Sequence, residues 1–317
     1  MRKAILLYNL LSGRRRHRRA ADVDSALAVL RAAGVEALAS PTGSGPAASE
    51  QARHAVAEGY DTIVACGGDG TIHDILQGIV GTPAALAIIP LGTANSLAHD
   101  LKIPHAPPAA ARMALSATAK RIAVGRVQYL DLDGNNSMRH FVVAVGVGVD
   151  AHLFYKLNIG LKQQLGMIAY YGKATHLWFT HRMEHFTAEF FETGASQPSR
   201  TTVSELLAVR IRNFGGILQE LAPGASLDRN DLRLVLFRTS SRIYYLLYVI
   251  RGLLRQRWKV RGIDLLYGHK IVCVPASASG NRGPRIYLEA DGELVGTVPA
   301  EITVVPDALT LLVPSPR

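Results

Sequence analysis

Three glycines around one aspartate, Gly67-Gly68-Asp69-Gly70-Thr71, are the residues of this sequence best suited to hold a phosphate. The apolar run Ile63-Val64-Ala65-Cys66 precedes them, and Ile72, Ile75, Leu76 and Ile79 follow at helical spacing, so the segment reads as strand, tight turn and helix. Glycine lets the backbone approach an anion and take positive φ, while the helix behind it supplies N–H groups and the positive end of its dipole. Asp69 would repel that phosphate unless a Mg²⁺ or a proton stood between them. A second stretch has the same design. The buried-type strand Ala85–Ile89 runs into Pro90-Leu91-Gly92-Thr93-Ala94-Asn95-Ser96, where Thr93, Asn95 and Ser96 are placed to cap a helix or donate to a ligand. Two such turns at successive strand ends would converge on one crevice, although each alone is also what an ordinary α/β domain uses to pass from strand to helix.

The elements that must position these turns are legible on either side. Strand Lys3–Tyr8 leads to Asn9, Ser12 and Gly13, turn residues at the C-terminal end of a first parallel strand, where open α/β sheets place ligands. Arg14-Arg15-Arg16-His17-Arg18-Arg19 follows, readable as a solvated loop or as a contact for nucleotide phosphates or anionic lipid. Val23, Leu27 and Leu30 mark a helix closing at Gly34; a strand at about Val35–Ala39, the loop Pro41-Thr42-Gly43-Ser44-Gly45 and a helix over Ala47–Glu58 come next. Thr42 could bond a phosphate from that loop. Beyond Ile122 the pattern changes to strands rich in Val, Leu, Phe and Tyr: Ile122–Leu132, Arg139–Val149, Met183–Phe191, Val203–Arg212, Asp231–Arg238, Ile271–Val274 and Arg285–Leu288. That is a mostly antiparallel β domain. Taken by itself, Asp291-Gly292-Glu293 near its end is a hairpin turn.

Composition restricts the function. The 317 residues are 48% hydrophobic, enough for two domains, and the net charge of +10 calls for an anionic partner: nucleic acid, an anionic membrane surface or a phosphorylated substrate. The two cysteines, Cys66 and Cys273, are far apart in apolar stretches, so no disulfide framework follows and a reducing compartment is expected. No apolar stretch approaches the roughly 20 residues of a membrane span, and Ala4–Tyr8 is short for a signal-peptide core, so a cytoplasmic protein is expected. The eleven histidines, among them His73, His152 and His269, show no metal spacing, and no nucleic-acid motif accompanies the charge. Residues 243–259 read as a helix, apolar nearly all round its first half and ending in Arg251, Arg255, Arg257 and Lys259. It is either a buried helix with a solvated end or an interfacial helix on anionic lipid. Tyr155, Tyr170, Tyr171, Trp178 and Phe179 are read as core residues or as the lining of an acyl-chain path.

Gly67-Gly68-Asp69-Gly70-Thr71, with Pro90-Leu91-Gly92-Thr93-Ala94-Asn95 about twenty residues on, resembles the catalytic-domain family of diacylglycerol kinases and sphingosine kinases, and in particular the soluble bacterial lipid kinases. The likeness continues along nearly the whole chain. It includes Asn9…Ser12-Gly13, Thr42, Lys162…Gly166…Ala169-Tyr170, Asn213…Gly216…Ala222-Pro223-Gly224-Ala225 and Glu289-Ala290-Asp291-Gly292-Glu293. The resemblance implies a Rossmann-like α/β nucleotide domain of the NAD kinase and diacylglycerol kinase type, over residues 1–122 and the returning strand at about 305–317. A mostly antiparallel β-sandwich domain over 123–304 would contribute acids and lipid-binding surface.

By the same resemblance ATP would be held by Asn9, Ser12, Gly13, Thr42, Gly67, Gly68, Asp69, Gly70, Thr71, Gly92, Thr93 and Asn95. Glu293 is then expected to be the general base, with Asp291 as Mg²⁺ ligand or orienting group and Asp69 meeting the nucleotide's Mg²⁺ or organising the turn; some lipid kinases are argued to use the aspartate of this first motif as the base. Two departures stand out. Ser96 replaces a common family aspartate. Arg229, in Leu227-Asp228-Arg229-Asn230-Asp231-Leu232, replaces an aspartate of a structural Mg²⁺ site, and a guanidinium cannot ligate a cation, so that site is expected to be absent or displaced onto Asp228 or Asp231. The activity expected is ATP-dependent phosphorylation of a diacylglycerol-like or sphingoid-like hydroxyl by a peripheral enzyme at an anionic membrane, with no nucleic-acid partner and with a homodimer admitted but not required. The alternatives are a soluble-substrate kinase of the NAD kinase or phosphofructokinase type and a non-catalytic lipid-binding relative.

Overall fold

Every strand in the N-terminal part of the chain is followed by a helix, and that alternation makes its sheet parallel, since a helix is what carries the chain back to the starting edge. The computed structural model describes residues 1–10, 18–43, 45–149, 151, 183–215, 220–276 and 285–315. Ser12, Gly13, the arginines at 14–16, His152, Gly216, Lys162, Gly166, Ala169 and the aromatics at 155, 170, 171, 178 and 179 lie outside the described residues. The chain divides into two compact units, Met1–Val124 with Ile211–Gln219 and Val305–Arg317, and Gly125–Arg210 with Glu220–Val304.

The first unit runs β1 (Lys3–Tyr8), α1 (Arg19–Ala32), β2 (Glu36–Pro41), α2 (Pro46–Ala57), β3 (Thr62–Gly67), α3 (Asp69–Ile79), β4 (Ala85–Pro90), α4 (Ser96–Asp100) and α5 (Pro107–Leu115). Its strand order is β2-β1-β3-β4, all parallel, and the end of the final strand adds to β4 by pairing Thr310 and Leu311 with Ala85 and Leu86. Every residue of β3 and β4 is buried, as the unbroken apolar runs require of central strands, whereas β2 is mostly open at its edge. Behind β3, Ile72, Ile75, Leu76 and Ile79 of α3 are buried to 2% exposure or less, each contributing about 1.5–3 kcal/mol of apolar burial.

The second unit holds β5 (Thr118–Leu130, entering from the first), β6 (Asn136–Phe141), β7 (Ala144–Gly148), β8 (Phe186–Glu192), β9 (Ser199–Val203), β10 (Glu205–Val209), β11 (Leu232–Phe237), α6 (Arg242–Leu253), β12 (Ile263–Pro275), β13 (Tyr287–Ala290) and the first part of β14 (Glu293–Val313). The antiparallel pairing runs β13-β7-β10-β11-β12, with β14 joining β12 back to β13. Phe141, Val145, Phe186, Leu206, Leu234 and Ile271 are among the core residues inside.

Three of the departures from the sequence expectation have a local reason. The expected strand Arg139–Val149 breaks between β6 and β7 because the N–H groups of Val142, Val143 and Ala144 donate to the Asp291 carboxylate instead of to a neighbouring strand. The expected strand Val203–Arg212 breaks at Ser204, whose hydroxyl pairs with the Tyr245 hydroxyl at 2.8 Å, and ends at Val209. The helix expected over 243–259 stops at Leu253. Arg255 takes a φ of 52°, and the Arg255 and Gln256 N–H groups turn back to Gly252 and Arg251, a left-handed exit that ends a helix. Among the described residues no helix is long and apolar enough to cross a membrane.

Candidate active site

The parallel register of the first unit sets four predicted ligand segments side by side. Tyr8 pairs with Pro41 and with Cys66, and Gly67 pairs with Pro90, so Asn9, Thr42, the turn after Gly67 and the turn after Pro90 all leave the same C-terminal edge of the sheet. Backbone bonds lace those exits together: Thr42 N–H donates to Tyr8 O at 2.9 Å and Leu91 N–H to Gly67 O at 2.8 Å. Asp74 of α3 accepts the Gly45 N–H at 2.8 Å and so fixes the Thr42 loop against the same helix.

The two glycine turns pack on one another. A methyl group at Gly92 would lie 2.3 Å from Gly68 Cα, and one at Gly67 would lie 2.3 Å from Thr71 Oγ1; no side chain larger than hydrogen fits either place. Helix α3 begins at Asp69, and Ile72 N–H donates to Gly68 O across the turn, so the N–H groups of Gly70 and Thr71 have no intrahelical acceptor. Asp69 reaches across to the second turn, accepting the N–H of Ser96 at 3.0 Å on one oxygen and that of Leu97 at 3.3 Å on the other. It therefore caps α4 and braces the two turns. Asn95 does related work within its own turn. At φ 53° its side chain accepts from Gly92 N–H at 2.9 Å and donates to Gly92 O at 3.1 Å, buried to 5% exposure. Thr93, in contrast, is exposed.

Two residues join this arrangement that sequence reasoning missed or misread. Arg19 belongs to a basic run that reads as solvated or phosphate-contacting, yet it is fully buried and donates to Leu91 O at 2.9 Å, holding the second turn from beneath. Burial draws its pKa down, with Asp22 and Cys66 opposing, but a guanidinium keeps its charge there. Its place at the i position of the Val23, Leu27, Leu30 stripe is the signal that it faces inward. Asp100, at the end of α4, accepts the N–H groups of Arg212 and Asn213 at 3.0 and 2.8 Å and draws the Ile211–Gln219 segment into this unit. Thr42 supplies the opposite kind of signal. Its hydroxyl is buried and has no hydrogen-bond partner among the described residues.

Asp291 and Glu293 lie in the second unit. Ala290 pairs with Glu293, so Asp291-Gly292 is the two-residue turn of a hairpin, with φ of 50° and 83°. The turn also has a second function. Asp291, 6% exposed, accepts the N–H groups of Val142, Val143 and Ala144 at 3.1, 2.8 and 3.1 Å, and returns its own N–H to Ala144 O at 2.9 Å. A carboxylate offers about four acceptor sites, so most of this one is used in fixing the hairpin. Glu289 secures the other side by accepting the Gly292 N–H at 2.7 Å. Glu293, half-buried at the head of β14, is the acid placed beyond this frame.

The loop expected to have lost a structural cation carries guanidinium groups. Arg229 donates a fork to both Asp231 oxygens at 2.6 and 2.7 Å, and Thr193 adds a bond at 2.8 Å. Burial alone would raise the Asp231 pKa, but these bonds and the charges of Arg229 and Arg210 outweigh it and hold the carboxyl below its ordinary value. Fully buried Arg210 donates to the carbonyls of Arg229 and Asp231, both at 3.0 Å, its pKa drawn down to about 10 by burial against the pull of Asp231. No group of three His, Cys, Asp or Glu able to hold a metal occurs among the described residues.

Residues 3–127, which carry both glycine turns, match the model of the diacylglycerol kinase catalytic domain. Over those residues the chain is similar to the diacylglycerol kinase catalytic-domain family. A diacylglycerol kinase of Bacillus subtilis is 26% identical over 305 residues, covering 95% of this chain and 93% of that one. Among solved structures, a diacylglycerol kinase from Bacillus anthracis superposes with a TM-score of 0.69 at 17% identity over 98% of this chain and 96% of its own, and yeast NADH kinase with a TM-score of 0.50 at 13% identity over 99% and 84%. These two likenesses concern the fold, and they bear out the expected α/β domain followed by a mostly antiparallel one. The matched domain and these relatives support a kinase.

Proposed function

We propose that the protein is an ATP-dependent lipid kinase, transferring the γ-phosphoryl group of ATP to the hydroxyl of a diacylglycerol-like or sphingoid-like lipid. The observation that carries the nucleotide half is the close packing of two glycine turns whose backbones admit no side chain, beside a buried Thr42 hydroxyl that has no partner among the described residues. Such a backbone surface, at the start of α3, suits phosphate oxygens. The lipid half is supported by relatives such as the Bacillus subtilis diacylglycerol kinase.

In this reading Gly67–Thr71, Gly92, Thr93, Thr42 and Asn9 hold the nucleotide, while Asn95, Asp69 and Arg19 keep the turns in shape. Mg²⁺ bound with the nucleotide would neutralise phosphate oxygens, as it commonly does with one or two carboxylates and the phosphates themselves. The donors present fit that modest demand. Asp69 stands at the start of α3 with its carboxylate on the N–H groups of the second turn, whereas Asp291 is better read as an orienting group than as a ligand. Glu293 takes the proton of the attacking hydroxyl, and the buried hairpin of Asp291 fixes the backbone from which it projects. A peripheral contact with anionic membrane supplies the substrate.

The test is γ-labelled ATP with extracted and defined lipids, comparing wild type with Glu293→Gln. Transfer should fall by about 10²–10⁴ in the variant if the carboxylate is a general base. Equal labelling of the lipid by both would remove Glu293 from the chemistry. Label appearing only in a water-soluble acceptor would favour the soluble-substrate kinase.

A further inference from the structure

The second unit contains a cavity of 570 Å³ whose lining includes Arg233, Tyr248, Arg251, Arg257, Trp258 and Lys259. Arg251, on α6, is only 4% exposed. Its guanidinium lies 4.2 Å from the centroid of the Tyr248 ring, and its Nε and Nη2 have no hydrogen-bond partner among the described residues. Arg233 shows the same pattern, with a buried Nε lacking a partner and its guanidinium 4.4 Å over the Tyr267 ring. The lining has one carboxylate, Asp264, and Arg238 already pairs with it at 2.6 Å. Guanidinium groups do not discharge, and burying one without a counter-charge is strongly unfavourable. Four cations around one engaged acid therefore make a pocket whose charge suits an anion. Its volume falls in the range of about 300–1,000 Å³ typical of small-molecule sites, far more than one inorganic phosphate fills.

Helix α6 indicates what carries the anion. Its inner face buries Tyr245, Tyr248, Arg251 and Gly252, with Tyr245 stacked on Phe237 at 4.4 Å, so the helix is firmly seated. Its outer face is apolar and open: Ile243 is 68% exposed, Leu246 48% and Leu254 59%, with Leu247 and Leu253 alongside. Trp258, also exposed, belongs to the cavity wall, joining the apolar surface to the cationic pocket. Open leucines beside arginines and a half-wet tryptophan are the composition of a helix lying in the headgroup layer of a membrane. We propose that this pocket binds the phosphate group of an anionic phospholipid, while the outward leucines of α6 and Trp258 rest among the acyl chains of the same bilayer. Arg251 and Arg233 donate to the phosphate oxygens, and Arg257 and Lys259 add attraction at the rim. The site is built from residues other than those of the kinase reading and does not depend on it.

The full chain is sedimented with vesicles of phosphatidylcholine alone or with phosphatidylglycerol added, at fixed salt. Binding should strengthen with phosphatidylglycerol. Arg257→Gln with Lys259→Gln changes two exposed side chains and leaves the core alone; it should weaken the phosphatidylglycerol-dependent binding by about fivefold per charge, roughly 25-fold together. Arg251→Met, which fills the same buried space without charge, should weaken it by at least about tenfold, with the far-ultraviolet spectrum retained. Unchanged phosphatidylglycerol dependence in either variant would overturn the pocket. Glycerol 1-phosphate separates the two sources of a phosphate ester: weak competition supports the lipid, and full displacement at matched phosphate concentration would overturn it in favour of a soluble ligand. Glu293→Gln should sediment as wild type does, so loss of the kinase reading and loss of this one are separate results.

Discussion

Replacing Asp291 by Asn tests whether this acid organises the hairpin or takes part in chemistry. The carboxylate accepts three buried N–H groups, from Val143 and Ala144 on one oxygen and Val142 on the other. Asparagine has one oxygen to offer. If that oxygen serves Val143 and Ala144, two charge-assisted bonds become neutral ones, losing about 1 kcal/mol each, and the amide nitrogen then faces the Val142 N–H, leaving a buried donor unmet at about 1–3 kcal/mol. The sum is about 3–5 kcal/mol. For a unit of this size that lowers the unfolding midpoint by roughly 6–20 °C. Differential scanning calorimetry of Asp291→Asn beside Glu293→Gln is the assay, with the Glu293 variant expected within about 2 °C of wild type because it leaves this network intact. An Asp291→Asn protein that melts with wild type yet has lost phosphoryl transfer would refute the structural assignment.

Gly92→Ala should destabilise the first unit by about 1–3 kcal/mol through overpacking against Gly68 and should weaken nucleotide binding more than Gly43→Ala, whose added methyl would meet only the Ala47 methyl at 3.3 Å; isothermal titration with an ATP analogue measures the difference. The Asp231 carboxyl titrates below its unfolded value of about 3.9, so its stabilising contribution is present above that pH and is lost as pH falls through the folded pKa. Urea midpoints between pH 3 and 6 should therefore drop more steeply for wild type than for Arg229→Met, and parallel curves would show that the pair is not coupled. Burial raises both thiols, Cys273 to about 12 with the Arg19 charge opposing only at Cys66, so iodoacetamide should label neither in the native protein and both in urea, as read by intact mass.

The alternation of apolar runs with glycine turns made the first unit legible because each run has one fate: β3 and β4 are buried on every residue, and period and burial agree. The second unit was legible as a composition of strands, but not where they break. Val142 and Val143 have every local property of a strand, and what interrupts them is an aspartate about 150 residues away; Ser204 stops a strand by bonding a tyrosine on α6. Long-range polar partners leave no local trace. The site shows the same division. Glycine marks a close approach from sequence alone, whereas the inward position of Arg19 and the bracing role of Asp69 depend on which backbone groups the fold brings near them. The family resemblance made Asp291 a ligand candidate, residue type and resemblance made Asn95 one, and both side chains also close turns.

The brace from Asp69 to α4 bears on which substitutions the second turn will accept. The aspartate accepts the main-chain N–H groups of positions 96 and 97, and neither bond depends on the side chain there. The serine at 96 thus leaves the brace whole, and so would nearly any other residue. Proline alone removes the donor. Position 96 is consequently permissive in its side chain and strict in its backbone, so a saturation library there should return every folded variant but one. Position 69 is the reverse: its side chain must supply the acceptors for two main-chain donors.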